Sequence, residues 1–313
     1  KAFRDSGEDI SSILAKEDQS YSPPPHLARF QGLSATHGIT LTPEHPIDPE
    51  RAVLYLKGWI FPTDASINVA MSQSDSYSPM PPQVQVRNNE GDWQTVIANM
   101  GFPMGKNKTV RVDLAGKFIT DDHSVRIVTN MQLYWDHAFF AEESLDRPVE
   151  RTTLSPDTAD LQYRGFSHMY KTSPFGPHLF DHDSLSTAPR WIDLEGLYTR
   201  YGDVSQLLQT TNDQYVIMNA GDAMSITFDA TRAPTLPTGW KRHFILYTNG
   251  WLKDGDLNTA HGKTVEPLPY NGMNSYPYGP DEGYPLNADN LLYLEAYNTR
   301  SVTNERFRDW LKP

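Results

Sequence analysis

The densest run of hard oxygen donors on a glycine-containing stretch is Lys253-Asp254-Gly255-Asp256-Leu257-Asn258. The carboxylates of Asp254 and Asp256 and the amide of Asn258 are the donor types that calcium takes, because a hard cation collects several oxygens in a flexible geometry. A complete EF-hand loop counted from Asp254 asks for glycine at its sixth position and glutamate at its twelfth, where this chain has Thr259 and Val265. A calcium site at Asp254, Asp256 and Asn258 therefore needs further ligands, such as Glu266 or backbone carbonyls. The competing expectation is an ordinary turn in which Asp254 and Asn258 bond their own backbone.

A second cluster is His178-Leu179-Phe180-Asp181-His182-Asp183, with histidines four apart. On a helix both rings would share one face, as a zinc or iron site requires. Pro174, Gly176 and Pro177 just before it, and Ser184 and Ser186 just after, argue for an ordinary polar loop instead. Nucleophilic catalysis finds no support: there is no Gly-x-Ser-x-Gly elbow, Ser-x-x-Lys signature or His-Glu-x-x-His helix. Gly101 to Lys106 places three residues between its glycines and Asn107 after the lysine, so it departs from a phosphate-cradling loop. Acidic pairs such as Asp121 with Asp122, or Asp181 with Asp183, serve glycoside hydrolysis only if the fold sets them across a cleft. No catalytic residue and no cofactor-binding residue is assigned.

The remaining chemistry is aromatic. Tyr270, Tyr276, Tyr278 and Tyr284 sit among prolines and glycines, where exposed tyrosines offer rigid contact area to a protein or sugar partner. The tryptophans Trp59, Trp93, Trp135, Trp191, Trp240 and Trp251 lie in or beside apolar runs and read mainly as core.

The elements that must position these groups are short. Gly 20 and Pro 24 among 313 residues break the chain too often for long helices. Val53–Trp59, Ser66–Met71, Gln83–Arg87, Trp93–Ala98, Thr109–Leu114 and Ser124–Tyr134 each read as strands, with a hairpin at Asn88-Asn89-Glu90-Gly91-Asp92. Ala159–Tyr163, Tyr215–Asn219, Ala223–Phe228 and Arg242–Tyr247 read as strands of a second β-rich region. A short helix is expected over Asp9–Lys16, and a helix within Ala288–Leu311. The expected organisation is an N-terminal arm with a short helix at 1–50, a first β-sandwich at 51–145, a second β-rich domain at 146–265, and a Tyr/Pro-rich tail with a terminal helix at 266–313. The fold class is mainly β, with two β-sandwich units of jelly-roll or galactose-binding-like type.

The net charge of −12 repels phosphate backbones and anionic lipid, which disfavours a nucleic-acid partner. No segment approaches 18 consecutive apolar residues, so no membrane span is expected. Zero cysteines excludes disulfides, thiolate metal sites and a cysteine nucleophile, and with 36 aromatics it fits an exported, periplasmic or extracellular protein.

Four runs carry a resemblance: Gly58 to Ala70, Met100 to Thr109, Val125 to Asp136, and Trp251 to Asp256 with Thr264 to Pro269. Together they resemble the C-terminal region of large bacterial proteins with FG-GAP/VCBS propeller repeats (the ASPIC/UnbV-like group) or tetratricopeptide repeats. The resemblance spans about residues 50 to 285 and brings no catalytic motif. It implies an exported module associated with an assembly. The expected function is thus a non-catalytic binding or scaffold subunit of a cell-surface or periplasmic assembly, acting by contacts with other protein subunits. The alternative is a carbohydrate-binding, lectin-like or glycan-active protein, with a glycan as partner.

Overall fold

The computed structural model describes residues 1–143, 149–192, 194–253 and 255–305. It is mainly β, with 31% strand against 10% helix, arranged in several antiparallel sheets. The chain divides into two compact units: residues 1–148 with 169–180, and residues 149–168 with 181–313.

The first unit holds a five-stranded and a three-stranded sheet. The larger has the order β1-β2-β7-β4-β5, from β1 (Ala2–Arg4), β2 (Leu33–Leu41), β4 (Gln83–Arg87), β5 (Trp93–Ile97) and β7 (Val125–Met131). The smaller has the order β6-β3-β8, from β3 (Ala52–Ile60), β6 (Lys108–Asp113) and β8 (Leu133–Glu142). Alternation explains which face each residue takes: Leu54 and Leu56 of β3 are fully buried, whereas Tyr55 and Lys57, which alternate with them, face the other way and are half-buried. Ile127 and Val125 of β7, Val84 of β4, Val112 of β6 and Leu133 of β8 join Leu54 and Leu56 in one core. Each such side chain contributes about 1.5–3 kcal/mol by leaving water.

Residues 1–50 are not a separate arm. Ala2, Ile10, Leu14, Ile39 and Leu41 enter the same core, β1 pairs with β2, and β2 pairs with β7 from Leu33↔Met131 to Leu41↔Val125. The polar residues of β2 hid it: Ser34, Thr36, His37 and Thr40 dilute an alternation that the core side, Ile39 and Leu41, still carries. Asp5 closes the edge by accepting from Arg126 Nε at 2.8 Å and Nη2 at 2.6 Å. The expected strand Ser66–Met71 is instead helix α2 (Ala65–Ser72), following the single turn α1 (Ser11–Leu14). Asp64 caps α2, its side chain accepting from Ile67 N at 2.8 Å, which tips a short apolar run towards helix. The hairpin at 88–92 forms as expected: Asn88 Oδ1 accepts from Glu90 N and Asp92 N, and Gly91 takes φ +84°.

In the second unit β9 (Thr158–Tyr163) lies between β13 (Gly202–Asp203) and β14 (Asp222–Thr227). Ala159 and Leu161 of β9 are buried with Val204, Leu207 and Tyr293. A second cluster joins Tyr198, Val265 and Leu268 beside a ladder of β12 (Gly196–Tyr198) with β15 (Arg300–Val302). Helix α3 (Ala288–Tyr297) starts where the Asn287 side chain accepts from Asn290 N at 2.9 Å. The chain after residue 265 is therefore packed against its own unit up to Val302. Arg300 reaches Asp222 at 2.5 Å and lies 4.2 Å from the Tyr201 ring centre, tying β15 to β14. Strands β10 (Phe166–Tyr170) and β11 (Leu179–Ser186) form a two-stranded ladder.

Two expected strands are absent from the ladders. Tyr215–Asn219 runs beside Thr199 through Thr199 N donating to Ile217 O and Ile217 N donating to Thr199 Oγ1. The segment Arg242–Tyr247 pairs with no strand among the described residues.

Candidate functional site

The expected calcium donors are Asp254, Asp256 and Asn258. Asp254 lies outside the described residues. Asp256 Oδ1 accepts from Asn258 N at 2.8 Å, a side-chain-to-backbone turn. An open depression of about 330 Å³ is lined by Gly255, Asp256, Leu257, His261, Lys263 and Thr264. Among the described residues no group of three or more His, Cys, Asp or Glu side chains is placed to hold a metal. Glu266, the suggested extra ligand, instead accepts from Leu197 N at 3.1 Å.

Tyr270, Tyr276, Tyr278 and Tyr284 are half-buried, and three of them direct their hydroxyls into their own unit. Tyr276 donates to Pro267 O at 2.8 Å and Tyr284 to Asp213 O at 2.6 Å, while Tyr278 lies 3.5 Å from Leu268 O. Tyr270 and Tyr276 each meet Tyr278 edge to face. The rings wrap the irregular segment onto its own unit. Burial pushes the Tyr276 phenol up, and that of Tyr284 further. The histidine cluster is strand rather than helix from Leu179 on: His182 lies in β11 and His178 just before it.

A constellation absent from the sequence reading lies on the outer face of the β6-β3-β8 sheet. Trp59 and Tyr134 stack at 4.7 Å, Phe175 stacks on Tyr134 at 6.3 Å, and Trp59 Nε1 donates to Phe175 O at 3.0 Å. Gly58 lets β8 come close to β3 at this point: a Cβ there would sit 2.3 Å from Tyr134 O and 2.8 Å from the Trp135 ring. The β3–β8 register shifts between Lys57 and Gly58, so β8 bulges at Asp136. Asp136 is fully buried and its Oδ1 accepts from Gln19 N at 2.8 Å. Its Oδ2, together with Asn107 Oδ1 and Ser173 Oγ, is buried with no hydrogen-bond partner among the described residues. Asn107 Nδ2 donates to Tyr21 OH at 2.6 Å, and Gln19 bonds Thr172, so these groups meet around the Gln19–Tyr21 segment. Desolvation holds the Asp136 carboxyl above its ordinary value and raises the Tyr21 phenol as well. The sequence carried one signal for this: the single aspartate Asp136 directly after the apolar run Leu133-Tyr134-Trp135.

Further along the same strands Tyr55 stacks on Phe139 at 5.1 Å, with His137 5.1 Å from Phe139. Glu143 binds Arg111 through both oxygens, at 2.6 and 2.7 Å, and accepts from Tyr55 OH at 2.9 Å. Those donors hold the Glu143 carboxyl down at about 2.

The second unit exposes a contiguous apolar run. Phe244, Ile245, Leu246 and Tyr247 are 83%, 94%, 68% and 80% exposed, and Leu252 is 95% exposed. Among the described residues, no backbone hydrogen bond joins 241–252 to the rest of the chain. Side chains tie the stretch at two points: Trp251 Nε1 donates to Tyr215 OH at 3.2 Å and Arg242 Nη2 to Pro234 O at 2.6 Å.

Comparison with known proteins gave no significant match: no family model, no curated protein and no solved structure is similar to the chain. The FG-GAP/VCBS-type resemblance accordingly stands on its quoted residues alone. No helix among the described residues is long and apolar enough to cross a membrane.

Proposed function

We propose that this chain is a non-catalytic binding module that acts through protein–protein contacts within an exported bacterial assembly. The observation that carries this reading is the apolar run Phe244–Tyr247, continued at Trp251 and Leu252. Scattered exposed leucines need no explanation, but four consecutive large apolar side chains in water mark a surface made to be covered. Their composition, aromatic and β-branched or leucine, suits insertion between protein surfaces. The first unit serves as the rigid body of the module. Its two sheets share one core, which supports a jelly-roll-like sandwich of galactose-binding type.

The test is recovery of the native assembly through the tagged full chain, wild type against the double variant Ile245→Lys/Leu246→Lys. A protein companion at fixed stoichiometry, lost in the variant, is expected. A wild-type chain that behaves as an isolated monomer and is indistinguishable from the variant overturns the proposal.

A second reading, glycan binding, draws on the outer sheet face, where Phe139 is 44% exposed between Tyr55 and His137 and beside the Arg111–Glu143 pair. Sugars lay their C–H faces on exposed aromatic rings flanked by fixed polar groups. Specific retention on a glycan array, abolished by Phe139→Ala and unaffected by Ile245→Lys/Leu246→Lys, would favour it.

A further inference from the structure

The second unit carries both halves of an unmade β-ladder. One half is the donor: Arg242–Tyr247 has strand composition, no ladder and fully presented side chains. The other half is the free edge of β14, which pairs with β9 on one side and with nothing among the described residues on the other. An edge strand directs alternate N–H and C=O groups outward, ready to template another strand. The core beneath that edge is also incomplete. Ala159 and Leu161 on the central strand β9 are 1% and 0% exposed, whereas Met224 and Ile226 on β14 share that core and remain partly exposed. A strand placed beside β14 with Phe244 and Leu246 on the core side would continue the alternation of Met224 and Ile226 and cover them.

The two lengths match, six residues each, from Asp222 to Thr227 and from Arg242 to Tyr247. Within one chain they stay apart, and the intervening segment is held by its own bonds. Asp229 caps the turn Ala230–Arg232, Arg232 pairs with Asp157 at 2.7 Å, and Arg242 Nη2 donates back to Pro234 O at 2.6 Å. Pro234 and Pro237 stiffen the same segment.

We propose that the occupant of the β14 edge is the Arg242–Tyr247 segment of a second copy of this chain, exchanged reciprocally across a two-fold axis. This rests on the reading of the run as a docking element and names its partner. Exchange of identical strands is an accessible route to a dimer when donor and acceptor lie on one chain. Phe244 and Leu246 from each copy, at on the order of 150 Å² apiece, together with the Met224 and Ile226 surface they cover and the paired backbone of both ladders, bury about 1,000 Å² in all, the lower end of a specific interface. Each copy carries a net charge of −12, so added salt screens the repulsion between copies and strengthens the dimer.

The experiment is sedimentation velocity on the full chain over a concentration series at low and high salt, with hydrogen exchange on the same samples. Expected are a doubling of mass, tighter association at high salt, and protection of both 242–247 and 222–227 that appears with the dimer. Ile245→Lys/Leu246→Lys changes only exposed side chains, so its fold is retained; it should weaken association at least tenfold and remove both protections. A monomer with 242–247 protected means closure onto its own β14 and overturns the exchange. A dimer that survives the variant has another interface and also overturns it. A monomer that binds a different protein through 244–247 overturns the exchange while leaving the proposed function standing; loss of every such contact defeats both.

Discussion

Gly58→Ala tests whether the close approach at the β8 bulge is as tight as the geometry requires. The added Cβ meets Tyr134 O at 2.3 Å, the Trp135 ring at 2.8 Å and Trp135 Cα at 3.2 Å. Ordinary contacts of these kinds begin at about 3.3–3.5 Å, so strands β3 and β8 must separate by about 1 Å. The nearest neighbour is a backbone carbonyl in the middle of a ladder, which cannot swing aside as a side chain would. Forcing such a shift costs about 1–3 kcal/mol or somewhat more, and the stiffer unfolded chain of alanine returns about 0.4–1 kcal/mol, leaving a net loss of about 2 kcal/mol. For a unit of this size that is roughly a 4–8 °C fall in melting temperature. Differential scanning calorimetry should place the fall in the transition of the first unit. Gly91 supplies the control, because it takes φ +84° in the hairpin with nothing within 4 Å of its added Cβ. There asparagine tolerates the left-handed backbone, so Gly91→Asn should cost little while Gly58→Asn costs at least as much as Gly58→Ala. Equal losses at the two positions, or a Gly58→Ala protein as stable as wild type, would refute the argument.

Other expectations follow from the carboxylates and the aromatic stack. Glu143, held down at about 2 against an ordinary 4.5, contributes stability that is present above 4.5 and lost as pH falls towards 2; Glu143→Gln should flatten that acid limb in pH-resolved melting curves. Asp136 has the opposite sign: its carboxyl is raised by desolvation, so the folded state binds the proton more tightly and stability declines as pH rises through the raised value. Asp136→Asn should therefore gain on wild type between acid and neutral pH, and a variant curve parallel to wild type would count against the buried-carboxylate account. Trp59→Phe keeps most of the stack but frees Phe175 O, which should cost about 1 kcal/mol and quicken proteolysis within 171–178. Asp256→Asn preserves the turn to Asn258 and removes the charge a cation needs, so its melting should match wild type with or without chelator; a calcium-dependent rise confined to wild type would restore a metal to the loop.

Much of the first unit was legible because its strands alternate cleanly. Gln83–Arg87 is β4 residue for residue, and Val53–Trp59 falls within β3. Misreadings occurred where a short signal outweighed the pattern. Asp64 capped Ser66–Met71 into a helix, and the polar residues of β2 masked a strand whose core side is only Ile39 and Leu41. The constellation around Tyr21, Asn107, Asp136 and Ser173 was illegible because its members come from four separate stretches of chain, joined by a bulge that periodicity cannot foresee. The tyrosines of the tail were legible as residues but not as surfaces, since whether a loop tyrosine faces outward depends on a carbonyl such as Pro267 O or Asp213 O being within reach.

Arg242–Tyr247 is the informative mismatch. Its apolar and aromatic composition specifies a strand as strongly as that of β4, yet a strand exists only where a neighbour accepts its hydrogen bonds, and among the described residues it has no ladder partner. For most segments local preference and tertiary context agree, which is what makes a sequence fold to one structure. Where a strand-forming segment stands without a ladder and the same unit has a sheet edge that also lacks one, the two deficits have a common remedy. Pairing satisfies the backbone groups of both and removes Phe244 and Leu246 from water in one step, so the local preference, the open edge and the partly exposed Met224 and Ile226 become consistent with one another in the assembled protein.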